Sequence, residues 1–221
     1  MATDTALSAD GRVAVSRFAA THLAEDRLSR RRSAKRLFDP PLALGLIIAC
    51  LPACVAIALA IWITDEGPVL FAQDRVGLDG QTFRLWKFRT MSACADGQVT
   101  TACVDPRVTR LGGWLRRHRL DELPQFWNVL RGDMSLIGPR PEQTHLASIY
   151  AEAAPAFALR HRLRPGMTGW AQVNAPYAAD FAATELKLSY DLFYLQHGNL
   201  ALDLTIVWRT LAVMATGAGA R

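Results

Sequence analysis

Two adjacent carboxylates, Asp121 and Glu122, come shortly before Pro124 and the segment QFWNVLR (residues 125–131), which the sequence predicts as a helix. Proline suits the first turn of a helix, so both acids are expected just outside its amino end, in the positive field of the helix dipole. That field favours ionised carboxylates, and the free N–H groups at the same end can bind a phosphate oxygen. The pair is therefore typical either of helix capping or of a site that handles phosphate groups.

Arginines near the acid pair favour the phosphate site. They are Arg116, Arg117 and Arg119 before the acids, and Arg131 and Arg140 after them. Guanidinium groups match the geometry of phosphate oxygens, so these side chains could hold an anionic substrate against an anionic nucleophile. Arg140 lies between Pro139 and Pro141, whose rings stiffen the backbone. A phosphate clamp and a rigid structural turn with a surface arginine both fit this arrangement.

An ionised aspartate can attack a phosphorus atom and form an acyl phosphate, which divides one difficult transfer into two easier steps. A neighbouring carboxylate can hold a divalent cation such as Mg²⁺, which takes one or two carboxylates together with substrate phosphates. The cation would screen the repulsion between nucleophile and substrate. One acid would then attack, and one or both of Glu122 and Asp121 would be metal ligands.

Composition and charge limit the classes of function. The chain has 221 residues, of which 51% are hydrophobic, and this suits one domain of ordinary size with an additional apolar segment. A net charge of +5 suggests an anionic partner: nucleic acid, an acidic membrane surface or a phosphorylated substrate. No CxxC pair or metal-ligand spacing is present, so the cysteines indicate neither a disulfide framework nor a zinc site. They are Cys50, Cys54, Cys94 and Cys103.

An uncharged apolar run, LALGLIIACLPACVAIALAIWI, extends from Leu42 to Ile63. As a helix it would measure roughly 33 Å, enough to cross a bilayer core. A cleavable signal peptide is excluded, because the run follows a long polar leader and no small-residue cleavage site comes after it. Pro52 stands at its centre, where the missing N–H should bend or break a helix.

Basic residues flank the apolar run on both sides, so both ends look cytoplasmic. They are Arg27, Arg30, Arg31, Arg32, Lys35 and Arg36 before it, and Arg75, Arg84, Lys87 and Arg89 after it. A spanning helix and a re-entrant segment are both open, and the flanks favour the re-entrant form, with its break at Leu51 and Pro52. We predict a flexible basic leader on anionic headgroups (1–34), a re-entrant membrane segment (35–64) and a cytoplasmic catalytic domain (65–221).

The remaining segments predict a small number of elements. Residues 69–91 contain two β-prone stretches around the turn LDGQ, which is typical of a hairpin. Residues 104–120 predict a turn followed by a basic helix, and residues 164–177 a shaped loop. Helices are expected in the alanine-rich stretch 142–164, at about 182–196 and at about 200–214. The last is amphipathic enough to lie on a membrane or to pack on the body.

Several motifs, in this order, carry a resemblance to a known family. They are KRLFDPP (35–41), KFRTM (87–91), DPRVTRLGGWLRRHRLDELPQFWNVLRGDMSLIGPRP (105–141), RPGMTGWAQVN (164–174), SYDLFY (189–194) and ALDLTIVWRT (201–210). Over residues 35–215 the chain resembles the bacterial sugar transferases that are monotopic phosphoglycosyl transferases acting on polyprenyl phosphate. The number and order of the motifs make the resemblance specific.

The resemblance implies transfer of a phosphosugar from a UDP-sugar to undecaprenyl phosphate or a similar polyprenyl phosphate, with release of UMP. This would initiate synthesis of a membrane glycoconjugate such as an exopolysaccharide. Asp121 would be the nucleophile of a covalent intermediate, Glu122 its dyad partner and Mg²⁺ the cofactor. Lys87 and Arg140 match motif positions of the family's active site and would hold substrate phosphates. Arg116, one of the arginines beside the acids, is predicted to do the same. The protein would act at the cytoplasmic face of the bacterial inner membrane. Membrane lipids would be further partners, and nucleic acid would not be a partner.

For the fold, the resemblance implies a predominantly helical α+β protein: a re-entrant helix–break–helix, a cytoplasmic catalytic domain with a small β-hairpin, and amphipathic interfacial helices. Lys35, Arg36 and Asp39 match the motif before the apolar run, where basic side chains can anchor at headgroups. Two positions depart from the family pattern. Leu51 stands where the break commonly starts with serine, and Ala175 follows Asn174 where many members have Gly-Arg. The chain looks like the family's minimal, catalytic form.

Two other classes of function compete with this interpretation. A membrane-anchored basic adaptor that binds acidic lipids or nucleic acid explains the charge and the apolar run, but leaves the acid pair and Arg140 without a role. A single-span glycosyltransferase that passes sugar directly to an acceptor would not form a covalent intermediate, and no glycine-rich nucleotide loop is recognisable. The sugar, the polyprenyl length and whether the protein forms a homo-oligomer are left open.

Overall fold

A computed structural model describes residues 25–92, 107–175 and 181–216, which form an α+β fold that is mostly helical. The helices are α1 (Glu25–Thr64), α2 (Arg110–Arg117), α3 (Gln125–Arg131), α4 (Thr144–Ala153), α5 (Trp170–Asn174), α6 (Phe181–His197) and α7 (Leu200–Thr216). The strands are β1 (Leu70–Val76), β2 (Thr82–Phe88), β3 (Ser135–Ile137) and β4 (Gly166–Thr168). Cys94 and Cys103 lie outside the described residues.

The predicted hairpin is confirmed, with β1 and β2 paired in antiparallel register from Leu70 opposite Phe88 to Val76 opposite Thr82. Its turn passes through Asp79 and Gly80, whose φ angles of 51° and 80° lie in the left-handed region that glycine adopts without strain. Because side chains alternate along a strand, each face of the hairpin carries every second residue. One such face turns toward the acid pair, as described below.

The apolar run belongs to one continuous helix, α1, which begins at Glu25 and therefore includes residues 25–34 that were predicted as leader. Within the described residues, only the part Arg31–Thr64 is long and apolar enough to cross a membrane. Pro52 lies inside the helix, and no break divides the segment there. Proline removes one hydrogen bond and disfavours a straight axis, but it does not require a helix to end. Leu51 and Pro52 are both exposed.

Basic side chains near the start of α1 are held by the protein. Arg31 and Lys35 reach Asp203 of α7 at 3.1 and 3.4 Å, and Arg32 pairs with Asp79 of the hairpin turn at 2.8 Å. Lys35 also donates to the carbonyl oxygen of Ile137 at 3.0 Å. The carboxylate of α7 and the end of β3 thus hold the Lys35 ammonium group, while its expected anchoring at lipid headgroups stays a prediction.

The other two residues of that motif lie in different surroundings. Asp39 lies against Ser135 and Leu136 of β3, whereas Arg36 is exposed and could reach a headgroup. The motif thus combines contacts that fasten α1 to the body with one side chain that faces outward.

The carboxyl-terminal part of α1 contacts the same body. Ile57 and Ile61 are buried in a cluster with Phe88 of β2 and Leu115 of α2. Asp65 follows the helix directly, and its backbone oxygen accepts a hydrogen bond from Arg89 at 2.8 Å. Between the two anchored ends, much of the apolar surface is exposed, including Leu44, Ile48, Leu51, Val55 and Leu59. The helix therefore lies along the body and offers its outer face to a different, apolar environment.

Strands β3 and β4 pair in parallel, Ser135 with Gly166 and Ile137 with Thr168. The prediction of a loop over residues 164–177 is wrong in this respect, since the segment contains β4 and α5. Gly166 and Gly138 approach so closely that a Cβ atom on either would meet the other segment's backbone. Glycine is required there to let the two chains pair.

The largest buried cluster lies between α6, α7 and the 3₁₀ segment Pro155–Arg162. It surrounds a buried ion pair in which Arg160 contacts Asp191 of α6 at 2.7 Å. The helices predicted at about 182–196 and 200–214 are confirmed as α6 and α7. Helix α7 buries Ile206 and exposes an apolar stripe at Leu200, Leu204, Trp208 and Leu211, so it packs on the body with one face only.

Candidate active site

The acid pair lies in a short 3₁₀ turn, Leu120–Glu122, between α2 and α3. Arg119 precedes the turn with φ 55°, a left-handed conformation that is uncommon outside glycine. Pro124 then caps α3, so the predicted position of both acids just before that helix is confirmed. Neither carboxylate is free in solvent: Asp121 is 7% exposed, and the Glu122 side chain is 13% exposed.

Glu122 is held by two cations. Arg140 donates to its Oε1 at 2.7 Å, and the Lys87 ammonium lies 3.6 Å from the same oxygen. Burial alone would raise the pKa of Glu122, but Arg140 and Lys87 outweigh it and lower the pKa to about 2. Glu122 is therefore ionised at neutral pH, and its charge raises the pKa of Arg140 in return.

Asp121 differs from its neighbour. Within the described part of the chain, no side chain donates a hydrogen bond to its carboxylate. Burial and the adjacent charge of Glu122 raise its pKa, whereas Lys87, Arg116 and Arg140 lower it in part. The turn thus holds one carboxylate that is tightly paired and another to which no described side chain donates, and attack on an electrophile requires such free lone pairs.

The structure brings Lys87, Arg116 and Arg140 around the acids, as the sequence predicted. Arg116 is fixed by a 2.8 Å hydrogen bond from its Nε to Thr90. Burial lowers the pKa of Lys87, while Glu122 raises it in part. The other arginines of the predicted group are not all in the cluster: Arg117 is exposed, and Arg131 is an exposed residue that pairs with Asp133 at 3.5 Å.

Sequence reasoning missed a further cation, Arg75 of β1. Arg75 lies opposite Phe83 of β2, and Phe83 lies four residues before Lys87 on the same strand. Because side chains alternate along a strand, Arg75 and Lys87 are on the same face of the hairpin. Burial, and then the charge of Arg140, lower the pKa of Arg75 to about 10. The register of the hairpin was the signal that could have identified it.

The loop that carries Arg140 is held from several sides. The carbonyl oxygen of Arg140 accepts a hydrogen bond from buried Arg160 at 2.8 Å, and Arg75 donates to the Pro141 oxygen at 3.1 Å. Gly138 N donates to Thr168 of β4 at 2.9 Å. The backbone of Arg140 is thus fixed, and its guanidinium loses little entropy when it binds an anion. The rigid turn expected at Arg140 is present, and the phosphate clamp stays a prediction.

The acid pair also suits a divalent cation that the substrate completes. No group of three or more histidine, cysteine, aspartate or glutamate side chains that could hold a metal exists among the described residues. Mg²⁺, however, commonly takes one or two protein carboxylates together with substrate phosphates. No described side chain pairs with Asp121, whereas Arg140 and Lys87 engage Oε1 of Glu122. The donor set fits Mg²⁺ bound jointly with a phosphorylated substrate.

Comparison with known proteins gives a consistent result. The family described as "Bacterial sugar transferase" matches residues 30–217. Similar proteins include a UDP-N-acetylgalactosamine-undecaprenyl-phosphate N-acetylgalactosaminephosphotransferase from Aeromonas hydrophila, 45% identical over 77% of this chain and 41% of its own. A UDP-glucose:undecaprenyl-phosphate glucose-1-phosphate transferase from Escherichia coli is 40% identical over 81% of this chain and 40% of its own.

A third relative is closer to this chain in length. It is a UDP-glucose:undecaprenyl-phosphate glucose-1-phosphate transferase from Caulobacter vibrioides, 42% identical over 82% of this chain and 70% of its own. The chain therefore spans about two fifths of the length of the first two relatives and most of the third.

Proposed function

The chain belongs to the bacterial sugar transferase family, and we propose that it transfers a phosphosugar from a UDP-sugar to a polyprenyl phosphate, undecaprenyl phosphate above all, releasing UMP. The observation that carries the proposal is the unequal acid pair: Glu122 is paired with Arg140 and Lys87, and Asp121 is buried beside it with no hydrogen-bond or ion-pair partner among the described residues. The names of the relatives support the two substrates. Such a transfer would begin the synthesis of a membrane glycoconjugate.

The proposed reaction has two displacement steps. In the first, the Asp121 carboxylate attacks the phosphorus that carries the sugar, the bond from this phosphorus to the bridging oxygen breaks, and UMP leaves with the electron pair. In the second, a phosphate oxygen of the polyprenyl phosphate attacks the same phosphorus, and the Asp121 carboxylate departs unchanged. The product is a polyprenyl diphosphosugar, and the aspartyl intermediate divides the transfer as expected for covalent catalysis.

The other residues of the site would handle charge. Mg²⁺, bound through Asp121, Glu122 or both, would neutralise charge on the substrate phosphates. Lys87, Arg116 and Arg140 would hold phosphate oxygens, in positions that need no rearrangement of their backbone. Glu122 keeps Arg140 and Lys87 close to Asp121. It would act as the dyad partner that prevents these cations from pairing with the nucleophile itself.

A monotopic arrangement on the cytoplasmic face of the inner membrane is part of the proposal. Its support is that both ends of the apolar part of α1 contact the same body, through Asp203 at one end and Phe88 at the other. A helix that crosses a bilayer carries its ends roughly 30 Å apart, on opposite sides of the hydrocarbon core. An unbroken helix that lies along the membrane with both ends on one face agrees better with the basic flanks and with the exposed outer face of α1.

Thiol labelling tests this arrangement. In a background in which the four native cysteines are replaced, cysteines introduced at exposed Ser29 and Glu66 flank the apolar segment. We expect a membrane-impermeant maleimide to label both in inside-out vesicles and neither in right-side-out vesicles. Labelling of the two sites from opposite sides would contradict the monotopic arrangement and support a spanning helix.

Release of UMP tests the reaction class. The detergent-purified protein is mixed with Mg²⁺, undecaprenyl phosphate and a panel of UDP-sugars that includes UDP-glucose and UDP-N-acetylgalactosamine. We expect UMP from one member of the panel, at a rate that depends on both the metal and the acceptor. A protein that binds anionic vesicles in a salt-dependent way but releases no UMP from any sugar would favour the adaptor instead.

A further inference from the structure

A small recess adjoins the acid pair on the side of α3. It is lined by Arg75, Leu85, Gln125, Arg140 and Pro141. Arg140 connects it directly to Glu122, to which it donates at 2.7 Å. The recess therefore shares Arg140 with the acid pair. The proposed reaction gives Arg75 and Gln125 no part.

Two hydrogen-bond donors in this recess have no acceptor among the described residues. Gln125 is only 2% exposed, and its buried Nε2 contacts no acceptor in the described structure. The buried Nε of Arg75 is also without an acceptor, although its terminal nitrogens donate to Pro141 and Gln73. A buried donor without an acceptor destabilises the fold, so such groups are rare unless something else satisfies them.

A second buried amide on α3 provides the comparison. Asn128, one turn after Gln125, is fully buried, and its Nδ2 donates to the Arg84 oxygen at 2.7 Å. Its Oδ1 accepts from the Trp86 N–H at 3.1 Å. The helix thus satisfies the amide that faces the hairpin backbone and leaves the amide that faces the recess unsatisfied. Packing alone does not explain this difference, because the two side chains are similarly buried.

We propose that Gln125, Arg75 and Arg140 form an oxyanion subsite that binds a phosphate group of a substrate. The inference rests on the proposed function and extends it to residues beyond the acid pair and its cations. Two guanidinium groups and a neutral amide donor suit a phosphate oxygen, which accepts several hydrogen bonds at once. The phosphate can come from the diphosphate of the UDP-sugar or from the polyprenyl phosphate, and the two sources are separable by experiment.

The first arm measures kcat/KM for each substrate in turn with Gln125→Leu and Gln125→Glu. A hydrogen bond to a charged group is worth about 1.5–3 kcal/mol, so Gln125→Leu should lower kcat/KM for one substrate about 10- to 100-fold. Gln125→Glu should lower it further, since its charge repels the phosphate. An effect confined to the UDP-sugar identifies the donor diphosphate, and an effect confined to the acceptor identifies the polyprenyl phosphate. Gln81→Leu, at an exposed glutamine in the hairpin turn, is the matched control.

The second arm does not depend on turnover. Pyrophosphate, as an oxyanion probe, should raise the melting temperature of the wild type and of Gln81→Leu, and should raise that of Gln125→Leu much less. If the wild type releases no UMP, the proposed reaction fails and this arm alone decides the subsite. If the wild type releases UMP while both Gln125 variants keep their kinetic constants and their response to pyrophosphate, the subsite is overturned. Arg75→Lys, compared with Arg131→Lys at an exposed arginine, repeats both arms with charge retained.

Discussion

Asp121→Asn should lower UMP release by about 10⁴-fold or more, because an amide cannot attack phosphorus as the carboxylate does. The change preserves the shape of the side chain and touches no apolar surface of α1. Folding and membrane association are therefore expected to be unchanged. Single-turnover release of UMP from the UDP-sugar, measured without acceptor, isolates the step in which Asp121 acts.

The matched control is Asp74→Asn. Asp74 is exposed on β1, opposite Arg84, and points away from the hairpin face that carries Lys87. This variant should retain wild-type activity. Full turnover by Asp121→Asn would refute the covalent mechanism, whereas equal losses in both variants would show that the assay responds to a general change of charge.

Arg140→Met should have the second largest effect, on activity and stability together. Loss of one fixed donor to a phosphate typically lowers the rate about 10²- to 10³-fold. Stability should also fall, because Glu122, 13% exposed, keeps its charge with only Lys87 at 3.6 Å to compensate. Breaking a buried ion pair costs about 3–5 kcal/mol of stability. Because the Arg140 side chain is 38% exposed, solvent weakens this pair, and we expect a loss of roughly 2 kcal/mol. The melting temperature should then drop by about 4–8 °C.

The same variant has a predictable pH dependence. The pKa of Glu122 is lowered from 4.5 to about 2 in the folded protein, so its ion pairs stabilise the fold fully above pH 4.5. This contribution is lost as the pH falls through about 2. The difference in melting temperature between the wild type and Arg140→Met should therefore be constant near neutrality and shrink as the pH falls below 4.5.

Two further variants separate the causes. Glu122→Gln combined with Arg140→Met removes both charges, so it should recover most of the lost stability but none of the lost activity. Arg131→Met removes an exposed partner of Asp133 and should change stability by less than about 1 kcal/mol. If the double variant were as unstable as Arg140→Met, the loss would come from packing around Arg140 and the buried charge of Glu122 would not be its cause.

The elements that follow from short-range signals were predicted correctly. Pro124 marks the start of α3 because proline fits a first helical turn, and LDGQ forms the hairpin turn because Gly80 tolerates a positive φ. Helices α6 and α7 follow from their apolar periodicity. The acid pair was placed correctly for the same reason: its position depends only on the few residues around it.

The pairing of distant segments was not predictable in the same way. Strands β3 and β4 are three residues each and lie about thirty residues apart, so neither carries a periodic signal long enough to indicate its partner. Lys35 was expected at the membrane surface, and only the fold shows that Asp203 reaches it. The missing break at Pro52 is a third case, since one proline can bend a helix or end it, depending on what the helix packs against.

By itself the sequence determined that the protein has an apolar segment of membrane length, a basic character and two carboxylates before α3 among arginines, because composition and local spacing suffice for these. Only the tertiary structure decided that the two carboxylates are unequal. Arg140 comes from a loop fixed by β4 and Arg160, and Lys87 from a hairpin strand, and both approach Glu122 rather than Asp121. A carboxylate's charge state depends on what surrounds it in space, so no spacing along the chain could have assigned the paired and unpaired acids.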